Sequence, residues 1–190
     1  MIQVELRDQS DPSDIVATSY AFLYEDGSIS DFYHGDGYAT GSSAICDQIP
    51  YVTFCGISAA DYYVVVKHRN HLPIMTLNTV SLSSAVPTSV VDMTLPTNLY
   101  GGTNGMFEVN SGKAYMWEGN VYDNASISDV GEVNATDFFY VSTDNDNSLT
   151  GYVDGDLDLD GDVDADDFNM VQDGNNNLYF TDIPKPELNP

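Results

Sequence analysis

Residues 156–167, DLDLDGDVDADD, constrain this chain more than any other stretch. Counted as a twelve-residue loop, acids fall at positions 1, 3, 5, 9 and 12, namely Asp156, Asp158, Asp160, Asp164 and Asp167, and Gly161 falls at 6. So many carboxylates within a few ångströms repel one another strongly unless a cation lies among them. Alternate residues of a tightly curled backbone point inward, and a glycine after the third permits the sharp turn. That is how a twelve-residue loop surrounds a calcium ion with oxygens. In this reading Asp156, Asp158 and Asp160 give side-chain oxygens and Asp162, at position 7, gives its carbonyl. Asp164 acts through a water, and Asp167 closes the cage from the first turn of a helix. Val163 at position 8 is the apolar anchor. The competing reading is a solvated acidic run, which has no need of a glycine and a closing acid in register.

The same region contains an internal repeat. GEVNATDFFYV, residues 131–141, aligns with GDVDADDFNMV, residues 161–171, at one fixed offset. Such self-similarity marks a duplicated loop-helix unit. Phe138 and Val141 share one helix face, as do Phe168 and Val171, and the two faces are expected to pack on each other. The helices are expected to end near Asp144 and Asp173. The first copy departs from the pattern. Counting back from Gly131 puts Val130, Ser128 and Ser126 at positions 5, 3 and 1, which is a poor ligand set. An elongated loop over residues 120–137 offers Asn120, Tyr122, Asp123 and Asn124, with Asn134 and Asp137 closing it. The alternative is a degenerate loop that keeps only the fold. Asn124 and Asn134 also match the glycosylation sequon, a weak signal inside a loop.

The first half reads as strand and turn. Ile2, Val4 and Leu6 alternate with polar residues, as in a half-buried strand. Further strands are expected over residues 16–24, 51–55, 62–66, 75–82 and 89–95, with 62–66 central and Asp26-Gly27 a hairpin signal. Short strands separated by turns indicate an antiparallel β-sandwich of Ig-like or transthyretin-like type. Residues 31–43 and 101–112 read as Gly-rich loops. Trp117 and its neighbours Tyr115 and Met116 are expected to pack the second half against the first.

The formal net charge of -25 argues against nucleic acid or an anionic membrane as a direct partner. About half of the 30 acids lie within residues 118–173, so the imbalance is largely local. Scarce Lys and Arg with abundant Asp, Asn, Ser, Thr and Tyr suits an extracellular setting. Cys46 and Cys55 lie close in the sequence without a metal-type CxxC spacing and read as a local disulfide, with two buried free thiols as the alternative. No stretch is long and apolar enough to span a membrane, and no signal peptide follows Met1. If the protein is secreted, the chain is a mature piece or a fragment of a longer one.

No nucleophile, zinc or phosphate-loop signature stands out, so no enzymatic activity is expected. His68 and His71, three apart at a strand end, are expected to face opposite sides and not to share a metal. His34 has no obvious partner. Tyr residues and Trp117 could stack on sugars or fill cores, which leaves glycan binding open.

Two tandem loop-helix motifs, each carrying V[ND]AxD, resemble a dockerin module over residues 119–177. Asp rather than Glu at the last loop position is similar to dockerins rather than to EF-hand sensors. DYYVVVKHRNHLPIMT, residues 61–76, is similar to a segment that precedes such modules near the C-termini of large secreted, adhesin-like bacterial proteins, many exported by the type IX route. The resemblance implies a mainly β chain: a sandwich at residues 1–98, a packing segment at 99–118, a small α-helical dockerin-like Ca2+-binding domain at 119–180, and a tail at 181–190. It implies a secreted or cell-surface protein that works through a protein partner or self-assembly. Cohesin-binding dockerins often carry a Ser-Thr pair after position 9, where this chain has Ala135-Thr136 and Ala165-Asp166. The readings carried forward are a non-enzymatic Ca2+-stabilised adhesion or assembly module, a dockerin that binds a cohesin-like partner, and a carbohydrate-binding module. The dense carboxylates and few large apolar residues of the repeat predict that it folds only with Ca2+, while the β half folds without it.

Overall fold

The computed structural model describes residues 1–24, 26–30, 51–102, 106–108, 113–122 and 131–185. The chain is mainly antiparallel β, and the described residues contain two α-helices. One six-stranded sheet runs in the order β3-β2-β1-β4-β5, with β6 also on β4. Its strands are β1 (Ile2–Arg7), β2 (Ile15–Leu23), β3 (Ile29–Ser30), β4 (Asp61–Lys67), β5 (Ile74–Met75) and β6 (Val80–Ser81). A two-stranded hairpin, β7 (Phe107–Glu108) with β8 (Ala114–Tyr115), follows a short 3-10 turn at Pro96–Asn98. The helices are α1 (Ala135–Asp146) and α2 (Ala165–Asn177).

β1 lies between β2 and β4, with Val4 opposite both Ser19 and Val66. Its apolar face, with Ile2 and Val4, packs with Ala21, Val66 and Ile74 under Leu99, Met106 and Ala114. Leu99, Met106 and Ala114 are therefore part of the core. Glu5 and Arg7, on the other face, are buried as well. The half-buried strand expected from alternation is thus covered on both sides, because the C-terminal segment returns over it. Ile183 packs with Val65 and Met75, and Arg7 donates to the Pro184 carbonyl at 3.3 Å. The charges are matched: Glu5 meets Arg7 at 2.5 Å and Lys67 at 2.9 Å. Burial pushes the Glu5 carboxyl up, but Lys67 and then Arg7 outweigh it and hold its pKa below the ordinary value.

Two expected strands are absent. Residues 51–55 form no strand, although Val52 and Phe54 still pack against the core. Residues 89–95 form no strand either. There the Asp92 carboxylate accepts from both the Thr94 N–H and its hydroxyl, a local bond that competes with a ladder. The run at 75–82 divides into β5 and β6.

Cys55 is disulfide-bonded. Its expected partner, Cys46, lies outside the described residues, as do His34, Asp123 and Asn124. No described helix is long and apolar enough to cross a membrane.

Candidate metal centre

The two loop-helix units are related residue by residue. Each helix begins with a reciprocal cap: Asn134 accepts from Thr136 N–H while the Asp137 carboxylate accepts from Asn134 N–H, and Asp164 and Asp167 do the same with Asp166. The second oxygen of each N3 acid then reaches back into the loop. Asp137 Oδ1 accepts the N–H groups of Val121 and Tyr122, both at 2.9 Å. Asp167 Oδ1 accepts those of Leu157, at 2.6 Å, and Asp158, at 3.2 Å. These bonds align Asn120 with Asp156 and Tyr122 with Asp158, which fixes how the longer first loop maps onto the second.

The duplication continues past the helices. Glu132 bridges Phe180, and Asp162 bridges Thr150. Val133 N–H donates to Tyr179 O at 2.8 Å, and Val163 N–H to Leu149 O at 3.1 Å. Each loop is thus fastened to the segment after the other helix. Together they bury Val121, Val133 and Val141 with Leu157, Val163 and Val171. The Phe138 and Phe168 rings meet at 4.6 Å, so the helix faces pack on each other. Gly174 sits where a Cβ would lie 2.8 Å from Val133 Cγ1, which keeps that crossing close.

Carboxylate oxygens of Asp156, Asp158 and Asp167 lie within 4.8 Å of one another. Asp156 and Asp167 are buried, and Asp158 is exposed. Asp160, Asp162 and Asp164 stand outside this cluster. Asp160 Oδ1 accepts from Asp162 N–H, Asp162 sits in the bridge to Thr150, and Asp164 caps α2. The Asp160 N–H lowers the Asp158 pKa, but desolvation and then the neighbouring charges of Asp160, Asp167 and Asp156 outweigh it and leave the pKa raised. In the first loop Asn120 is buried, and its Oδ1 makes no hydrogen bond among the described residues. The Tyr122 ring stacks on Tyr140 at 4.4 Å.

This donor set fits a hard divalent cation. It is all oxygen, it is anionic, and it includes a buried amide oxygen, Asn120 Oδ1, with no donor among the described residues. Asp156, Asp158 and Asp167 would hold the ion in the second loop, and Asn120 with Asp137 in the first.

Sequence reasoning missed the turn after β4. Asn70, fully buried, donates Nδ2–H to the Asp156 carbonyl at 2.6 Å. Its own carbonyl accepts from Gly119 N–H at 3.0 Å, and Leu72 N–H donates to Trp117 O at 2.8 Å. One turn therefore touches the approach to the first loop and the first acid of the second. Arg69 also reaches Asp156, with Nη2 3.4 Å from Oδ2. The available signal was scarcity: with 5 Lys and Arg against 30 acids, each basic residue has many possible partners. His68 and His71 correct a second expectation. They lie in the turn rather than on a strand, so their Nδ1 atoms converge at 3.0 Å, each also within bonding distance of Asn70 Oδ1. Burial, then the nearby His68 and Arg69, lowers the His71 pKa to about 3, which keeps that ring neutral.

No family model, curated protein or solved structure matches the chain.

Proposed function

We propose that this chain is a non-enzymatic Ca2+-binding module of a secreted or cell-surface protein that mediates adhesion or protein–protein assembly. One observation carries the reading: the duplicated closure, in which Asp137 and Asp167 each gather the backbone N–H groups of one loop beside a buried first residue, Asn120 or Asp156. A merely solvated acidic run has no reason to be closed twice in the same way. The two units read as a dockerin-like domain. The six-stranded sheet, with the segment carrying β7 and β8 across one face, reads as the Ig-like or transthyretin-like sandwich. Secretion accords with the disulfide at Cys55.

Partner binding draws support from large apolar side chains left exposed on the helical half, among them Phe139 at 65% and Leu178 at 73%. A cohesin-like protein would meet these side chains, whereas a glycan has no comparable support. The test is thermal unfolding of the whole chain, followed by the fluorescence of Trp117, which stacks on Tyr179 at 3.7 Å. A Kd of about 10⁻⁴ to 10⁻³ M in 10 mM Ca2+ gives about 1.4–2.7 kcal/mol of added stability over chelator, with Mg2+ giving much less. Equal melting in Ca2+ and chelator refutes the reading.

A further inference from the structure

We infer that Arg69 is a resident counter-ion of the second loop, a guanidinium supplied by the β4–β5 turn that orients Asp156 and weakens the loop's hold on a divalent cation. The inference rests on the Ca2+ reading above.

The Asp156 carboxylate is divided between two directions. Oδ2 lies 3.4 Å from Arg69 Nη2, which also meets the Asp156 carbonyl at 3.3 Å. Oδ1 instead lies 3.5 Å from the N–H of Gly161, the turn glycine of the loop. One oxygen is thus held by the sheet half and the other is turned toward the loop. The guanidinium is itself seated: its carbon lies 4.0 Å from the centre of the Tyr152 ring. Nε and Nη1 of Arg69 are buried and make no hydrogen bond among the described residues. Two buried donors without partners are costly. A side chain needed only to fill space would avoid that cost, so the charge opposite Asp156 is what the position requires.

Arg69 therefore has two effects of opposite sign on a cation in the loop. It orients Asp156, which helps binding, and it leaves a positive charge one carboxylate away, which opposes it. The bonds from Asn70 and Gly161 continue to hold Asp156 when Arg69 is replaced. The charge effect therefore dominates, and a unit charge at that remove from a divalent ion is worth on the order of tenfold in affinity. Without the cation, the same guanidinium keeps buried Asp156 paired.

The test is calorimetric Ca2+ titration of the whole chain, with melting in chelator and in Ca2+, for the wild type, Arg69→Gln and Arg69→Lys. Arg69→Gln should bind about tenfold tighter at low salt, melt lower in chelator, and gain more from Ca2+ than the wild type. Arg69→Lys, which keeps the charge, should stay within about threefold of wild-type affinity. The Gln effect should shrink in 1 M salt, where the Debye length is about 3 Å. A purely structural arginine would lower both melting temperatures together and leave the Ca2+-induced rise unchanged. That result, or weaker binding by Arg69→Gln, overturns the inference. Should Arg69→Gln fail to fold, Tyr152→Leu, which unseats the guanidinium, should still tighten binding about twofold, and unchanged or weaker binding overturns it. A wild type that takes up no Ca2+ defeats the cation reading itself; uptake by the wild type with no change in the variants defeats only the role of Arg69.

Discussion

Replacing Asp167 with alanine separates the scaffold role of this acid from any role as a ligand. Asp167 is 1% exposed and accepts three backbone N–H groups, from Leu157 at 2.6 Å, Asp158 at 3.2 Å and Asp164 at 2.9 Å. The Leu157 N–H belongs to a buried residue, so leaving it unsatisfied costs about 1–3 kcal/mol. Losing the reciprocal cap at Asp164 costs about 1 kcal/mol. The bond to Asp158 N–H is longer and part-exposed, and adds about 0.5–1 kcal/mol. The sum is about 2.5–5 kcal/mol, a large part of the stability of a small protein. Because these bonds are made within the protein, the loss should be present in chelator. Urea unfolding in chelator, read at Trp117, measures it. Asp160→Ala is the control: its carboxylate is exposed and accepts one local N–H, so it should cost less than about 1 kcal/mol in chelator. A loss below about 1 kcal/mol for Asp167→Ala in chelator, with a large loss in Ca2+, would show that Asp167 is only a ligand.

The remaining expectations follow from single contacts. Gly174→Ala should destabilise by about 1–3 kcal/mol although alanine favours helices, because the added methyl meets Val133 Cγ1 at 2.8 Å and Tyr179 at 3.1 Å; denaturant unfolding gives the sign. Asn70→Leu should cost about 0.5–1.5 kcal/mol, because the Asp156 carbonyl loses its short bond from Asn70 and keeps only the longer one from Arg69 at 3.3 Å, and a neutral result would mean that the turn does not anchor the loop. His71 has a folded pKa lowered to about 3, below its ordinary value of 6.5, so the unfolded chain binds the proton first. Its contribution is therefore full above pH 6.5 and is lost as pH falls toward 3; His71→Phe should flatten that part of the stability–pH curve, and an unchanged slope contradicts the assignment.

The helical half was more legible than the sheet. The glycine and the V[ND]AxD pattern located both helices, because caps and turn glycines act within a few residues. Expected ends at Asp144 and Asp173 fell short of the observed Asp146 and Asn177. Asn120 and Tyr122 were found as the start of a longer loop, although their alignment with Asp156 and Asp158 depends on where the Asp137 carboxylate reaches. The strands at Ile2–Arg7, Ile15–Leu23 and Asp61–Lys67 followed from β-rich runs. The burial of Glu5 and Arg7 did not, because it depends on a segment far away in sequence, around Ile183 and Pro184.

The expectation of two independently folding halves meets a similar difficulty. Leu72 comes from the β half yet lies in the core of the helical half, and Ile183 does the reverse. Chelation should therefore loosen the turn at residues 68–72 together with the loops, rather than release residues 119–180 from an unaffected sheet. Limited proteolysis in chelator checks this: cuts confined to the region after 119, with no change at 68–72, would restore the two-part picture.

The most direct test of the central claim is calorimetric titration of the intact chain with Ca2+ at fixed ionic strength, beside the double variant Asp156→Ala with Asp158→Ala. The structure leads to saturable uptake by the wild type, with at least one site of Kd about 10⁻³ M or tighter, and loss of the second-loop site in the variant. Absence of uptake by the wild type, or equal uptake by both proteins, would contradict the assignment of this loop as a metal centre.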